Sequence, residues 1–151
     1  MNLICPANAK VLGYLSRPRP DTPVLAPHDS IANPYYRCGC HPEIVERLWD
    51  QLGAALPADA RALVHGIPAL VHPVSGVILA IGLGTQYGLR LPAALGATAR
   101  AAGAKTTTTW SGGSVLDIQQ SLGSDWVFGA WLGGELDWCR LAFAAFDRDL
   151  P

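Results

Sequence analysis

Cys38-Gly39-Cys40-His41 is the one place in this chain where side chains that can do chemistry stand close together, two thiols and an imidazole within four residues. Such a group has two uses. As metal ligands, the cysteines and His41 would need His28, His65 or His72 to approach a tetrahedral zinc shell. Structural zinc draws on two separated Cys/His pairs, commonly with about two to four residues inside a pair. Here Gly39 is the whole spacer and no second pair exists, so no metal and no cofactor is expected. As nucleophiles, Cys38 and Cys40 precede Pro42-Glu43, a helix start whose dipole favours a thiolate, and His41 or His65 is the available base. A small hydrolase or thiol enzyme is therefore one reading. Carboxylates add little to it. Glu135 and Asp137 are two apart and point to different sides of a helix, and with Asp117 they form no visible acid–base pair. His72, directly before Pro73, reads as a hydrogen-bonded turn histidine.

Glycine spacing suggests a nucleotide site and then fails to supply one. Gly82-x-Gly84-x-x-x-Gly88 misses the dinucleotide fingerprint by one residue, and the following alternation continues as strand where a helix should begin. Gly103-Ala104-Lys105-Thr106 lacks the glycine offsets of a phosphate loop and runs into threonines. Aromatic side chains offer another chemistry, a stacking platform for a sugar, base or peptide. Trp49, Trp131 and Trp138 fall in helical apolar stripes and read as core, whereas Trp110 and Trp126 flank glycine turns and are the candidates for exposure.

The elements that must hold these groups are organised around Gly66 to Pro92, an apolar stretch whose single charge is Arg90. From Val77 the large residues Val77, Leu79, Ile81, Leu83, Tyr87, Leu89 and Leu91 share one parity, and Ala80, Gly82, Gly84, Gln86, Gly88 and Arg90 take the other. Period two is a strand signal. Either Gly82 to Gln86 is a hairpin turn, for which glycine supplies positive φ, or the glycines form a flat strand face that something approaches closely. Gly82, Gly84, Gln86 and Arg90, with Trp110 and Trp126, are then the candidate ligand- or partner-binding residues. The Ala-rich helix expected after Pro92 is a possible cover for such a face within the chain itself.

A helix is expected over about 42–55, because Ile44, Val45, Leu48, Trp49, Leu52 and Leu56 recur at three- and four-residue spacing opposite a charged face. Strands are expected at 61–65, 69–72, 77–81 and 87–91, joined by turns short enough to force antiparallel neighbours. A further helix follows at 93–104, an edge strand at 105–110, a short helix at 115–122 and a last helix with Leu132, Leu136, Cys139, Phe143 and Phe146 as its stripe. The fold class is α+β: an antiparallel meander of about four to five short strands, with an N-terminal-side helix and two to three further helices packed on it.

With 151 residues, the chain is long enough for one core, assigned to residues 38–151. Residues 1–37 hold half of the twelve prolines and are expected to be an irregular arm, of which residues 1 to about 30 are removable without unfolding the rest, and in which Arg17 to Pro23 fits a short polyproline-ligand pattern. A net charge of -1 and scattered basic residues exclude nucleic acid as an expected partner. No apolar run suggests a membrane span or a signal peptide, and four sparse cysteines fit reduced thiols in a cytoplasm. A non-catalytic protein-binding domain, of the adaptor, chaperone or immunity-type inhibitor kind and able to form homo-oligomers, fits these exclusions best. A small-ligand binder with an aromatic platform stands beside the thiol enzyme as an alternative.

Overall fold

The computed structural model describes residues 3–17, 21–37, 40–109 and 115–147. Its centre is a six-stranded antiparallel sheet in the order β1-β2-β3-β4-β5-β8. The strands are β1 Leu25–Pro27, β2 Arg61–Val64, β3 Ile67–Val71, β4 Ile78–Leu83, β5 Gln86–Arg90 and β8 Trp126–Gly129. The remaining pair, β6 Thr107–Thr109 and β7 Val115–Asp117, forms a separate two-stranded sheet. The helices are α1 Ala9–Ser16, α2 Pro34–Arg37, α3 Pro42–Glu46, α4 Ala93–Ala101, α5 Ile118–Ser121 and α6 Glu135–Ala145. The class is α+β, with more strands than the sequence led us to expect.

Turn chemistry fixes the register of the meander. His65-Gly66 joins β2 to β3 with both residues at positive φ, 48° and 76°, the conformation that splices two twisted strands in a two-residue loop. Gly84-Thr85 joins β4 to β5 between the paired Leu83 and Gln86, with Gly84 at φ 58°. The hairpin reading of this glycine run is therefore the one realised.

Helices cover the sheet on both sides, which explains why β4 is buried along its whole length. One layer packs Ile44, Leu48, Trp49, Leu52, Trp138, Cys139 and Phe146 onto Leu63, Leu70, Leu79, Tyr87 and Leu89. The other packs Leu3, Val11, Leu15 and Leu122 onto Val64, Ala69, Ile78, Ile81, Trp126 and Phe128. A register shift between Leu70 and Val71 inserts an extra residue in β4, so Ile78 and Ile81 share a face that simple alternation would deny them. Gly82 does lie under a close neighbour, but the cover is the stretch Cys40 to Leu48 and not α4. A Cβ there would stand 3.2 Å from Cys40 Sγ and 3.6 Å from Leu48.

The 42–55 helix forms with its expected apolar face buried, but in three styles: α3, a π-helical stretch Arg47–Leu52 and a 3-10 turn Gly53–Ala55. Residues 115–117 are a strand and not the start of a helix, because they pair with the threonine run. In α6 the buried positions are Glu135, Trp138, Cys139 and Ala142, and Leu136 faces solvent.

The N-terminal stretch is more regular than its prolines led us to expect. Although Pro18 to Pro20, within the polyproline pattern, lie outside the described residues, α1 and β1 are regular elements. Asn8 is fully buried: its amide donates to the Leu3 carbonyl at 2.8 Å and the Gly76 carbonyl at 2.7 Å, and its oxygen accepts from the Ile78 N–H at 2.9 Å. A buried amide that closes three main-chain groups ties the arm to the sheet.

Candidate functional site

The residues singled out by sequence scatter to different fates. Cys38 and Trp110 lie outside the described residues. Trp126 is fully buried in β8, because the WVFG segment pairs with β5 instead of turning into solvent. Arg90 is also buried. Its Nε donates to Asp125 at 2.8 Å, its Nη2 to the Ala7 carbonyl and its Nη1 to Asn8 at 3.5 Å, and its guanidinium lies over the rings of Trp126 and Phe146. Every arm of this arginine is occupied within the fold. His72 accepts at Nδ1 from the N–H groups of Val74 and Ser75 and stacks on Phe143 at 4.0 Å, which is a turn histidine. Burial lowers its pKa, against a smaller raising effect of Asp147.

At the tip of the β4–β5 hairpin the structure does bring predicted residues together. Cys40 bridges to Gly84, and the His41 N–H donates to the Gly84 carbonyl at 2.7 Å. The two side chains then diverge in role. Cys40 is buried among apolar residues against Gly82, whereas His41 is exposed and uses Nδ1 to accept from the Glu43 N–H at 3.1 Å, capping α3. An imidazole whose Nδ1 closes a helix cap and a thiol sunk in the core do not make a nucleophile–base couple. Cys139 is no better placed: burial, with the Glu135 carboxylate beside it, pushes its thiol up to about 12. Among the described residues no three His, Cys, Asp or Glu side chains gather as a metal would require.

Behind this tip stands a cluster that sequence reasoning did not assemble. Tyr87 on β5 donates its hydroxyl hydrogen to Glu135 Oε2, and the same hydroxyl oxygen accepts from the Trp131 N–H at 3.0 Å. Glu135 Oε2 also accepts from the Leu132 N–H at 2.8 Å and lies 3.5 Å from Arg47 Nη2. Its other oxygen, Oε1, is buried with no hydrogen-bond partner among the described residues, as is Nε of Arg47. Burial works to raise the Glu135 pKa, but the hydrogen bonds from Tyr87 and the Leu132 N–H, and then the Arg47 charge, hold the carboxyl below its ordinary value. Burial and the Glu135 partner hold the Tyr87 phenol well above its own.

This frame presents Trp131. Its backbone is left-handed at φ 56°, its side chain is 56% exposed, and Arg47 lies over the ring at 5.2 Å. Left-handed backbone in a bulky residue is strained and persists only where neighbours enforce it. Beside it, His41, Glu43, Ile44, Thr85, Ala130 and Trp131 line a shallow pocket of about 200 Å³. Arg47 also begins the π-helical stretch, a local rewinding of the kind often found at functional sites. The available signal in the sequence was Gly133-Gly134, which delays the start of α6 and leaves Trp131 outside any helical stripe. No protein-family model, curated protein or solved structure matches this chain, so the site is read from its own chemistry.

Proposed function

We propose that this chain is a non-catalytic protein-binding domain, of the adaptor, chaperone or immunity-type inhibitor kind, that engages its partner through Trp131, Arg47 and the adjoining hairpin tip. One observation carries the reading: a large aromatic side chain is held in solvent, on strained backbone, by a buried Tyr87–Glu135 frame. Tryptophan and arginine dominate binding hot spots because they bury much area at little entropic loss. A fixed ring that already carries its arginine is preorganised for docking. The buried thiols Cys5, Cys40 and Cys139 support a reducing compartment such as the cytoplasm for this role.

The test compares what wild type, Trp131→Ala and Val74→Ala retain from native lysate, Val74 being an exposed apolar residue elsewhere on the surface. A stoichiometric protein held by wild type and Val74→Ala and lost with Trp131→Ala is the expected result. Identical retention by all three would end this assignment. Sedimentation of the same proteins shows whether the partner is a second copy of the chain. The small-ligand reading keeps a specific observation in its favour, since two larger clefts of about 500 and 420 Å³ open elsewhere on the fold.

A further inference from the structure

The cleft of about 420 Å³ lies where α4, β5 and β8 meet, and its walls include Leu91, Val127, Arg100, Thr106, Ser124 and Asp125. Its volume is that of a small-molecule site. Arg100 stands in the last turn of α4, where helical side chains lean back toward the N-terminus over the residue four before. That residue is Gly96. A Cβ at position 96 would meet Arg100 Nη1 at 3.3 Å, so the absence of a side chain there gives the guanidinium a seat against the helix. Glycine is among the poorest residues for a helix interior, and this seat is the compensating use that the geometry offers.

The charges around the cleft are unequal in their freedom. Asp125 is committed to Arg90 at 2.8 Å, and its main-chain oxygen accepts from the Leu91 N–H at 2.8 Å. Arg100 makes no ion pair or hydrogen bond through its side chain with any described residue. Gln119 steadies the wall by donating to the Ser124 carbonyl at 3.3 Å, and Thr106 and Ser124 bring hydroxyl donors to it. Leu91 and Val127, buried aliphatic residues, belong to the same lining.

We infer that this cleft binds a small organic anion, with Arg100 and the hydroxyls on a carboxylate or phosphate head and Leu91 and Val127 against a short apolar body. A planar guanidinium meets either head with two parallel hydrogen bonds. The inference does not depend on the Trp131 surface.

Titration calorimetry on the full chain, with inorganic phosphate, acetate and hexanoate as separate probes, tests it. Saturable one-to-one binding is expected, and hexanoate should exceed acetate by about fourfold for each methylene that reaches the aliphatic wall. Arg100→Gln should weaken binding at least about tenfold, the loss of a charge-assisted pair, with the unfolding midpoint unchanged. Gly96→Ala should weaken binding while the midpoint holds or rises, a combination that a merely structural Arg100 would not produce. Binding of phosphate without hexanoate identifies a phosphate head, and the reverse a carboxylate. No saturable binding by any probe, or equal binding by Arg100→Gln and wild type, overturns the inference.

Discussion

Strand β5 carries a buried arginine–carboxylate cluster near each end, and the two are built differently. At its last residue, Arg90 meets Asp125, Asn8 and the Ala7 carbonyl, and the side-chain atoms of Asn8 are all engaged. Near its start, Tyr87 meets Glu135, whose Oε2 accepts from Tyr87 and from the Leu132 N–H while Oε1 and Arg47 Nε have no hydrogen-bond partner among the described residues. A satisfied network fixes structure; a half-satisfied one is costly to keep in a dry interior. Only the second cluster adjoins an exposed, left-handed tryptophan. The difference separates what holds this fold from what the fold presents.

The largest expected effects fall on the first cluster and on the N-terminal stretch that carries its Asn8. Asn8→Ala would strand two buried carbonyls and the Ile78 N–H at once, and we expect a loss of about 3 kcal/mol or more in urea melts, each orphaned group costing ~1–3 kcal/mol. A loss below about 1 kcal/mol would show that water replaces the amide, and the contrast between the clusters would fail. Removing the arm as far as Ser16 should cost still more, since Leu3, Val11 and Leu15 are buried under the sheet.

At the other cluster, Tyr87→Phe should cost about 1–3 kcal/mol by leaving the Trp131 N–H and a carboxylate oxygen short of a partner. Its pH dependence sharpens the comparison. Because Glu135 has a folded pKa below its ordinary 4.5, its ionised form stabilises the fold above that value, and the contribution is lost as pH falls from there through the folded pKa. Wild type and Glu135→Gln should therefore differ most near neutrality and converge in acid. Tyr87 acts in the opposite sense: its raised pKa means that the unfolded phenol ionises first, so stability falls as pH rises past 10, and Tyr87→Phe should lose that slope. Parallel profiles for wild type and Glu135→Gln down to pH 3 would separate the carboxylate from the stability of the site.

Much of the frame was legible in the sequence because it rests on local signals. The stripe from Ile44 to Leu56, the turns at Gly66 and at Pro73 to Gly76, and the apolar run of β4 all predict elements that form. What escaped depends on distant partners. The bulge between Leu70 and Val71 leaves no mark in a strand that is aliphatic on both faces, so parity misassigned Ile81. Asn8 looked like a loop residue since its partners Gly76 and Ile78 lie far along the chain. Trp126 and Arg90 looked available to a ligand, although the sequence already holds Asp125 beside Trp126, and only the pairing of β8 with β5 brings that carboxylate to the arginine. Tyr87 and Glu135 had ordinary readings, as strand hydrophobe and stray carboxylate, until the fold joined them.

The smallest expected change in stability belongs to Trp131→Gly, and it tests the contrast most directly. The ring is 56% exposed, so its removal forfeits little burial, and a cation–π contact at such a site is worth about 0.5–1 kcal/mol. Against that loss, glycine adopts φ 56° without the penalty a bulky residue bears there, which is of order 1 kcal/mol or more. The two terms nearly cancel, and the melting midpoint of Trp131→Gly should stay within about 1 kcal/mol of wild type. Trp131→Ala loses the same contacts and keeps the backbone strain, so it should be the less stable of the two variants. Binding should rank them differently: both lack the ring, and both should lose the partner by about 2 kcal/mol or more, roughly thirtyfold. A Trp131→Gly protein destabilised by well over 2 kcal/mol would mean that the indole holds the Arg47–Glu135 pair together. The second cluster would then be as structural as the first, and the left-handed backbone a cost of packing instead of a sign of docking.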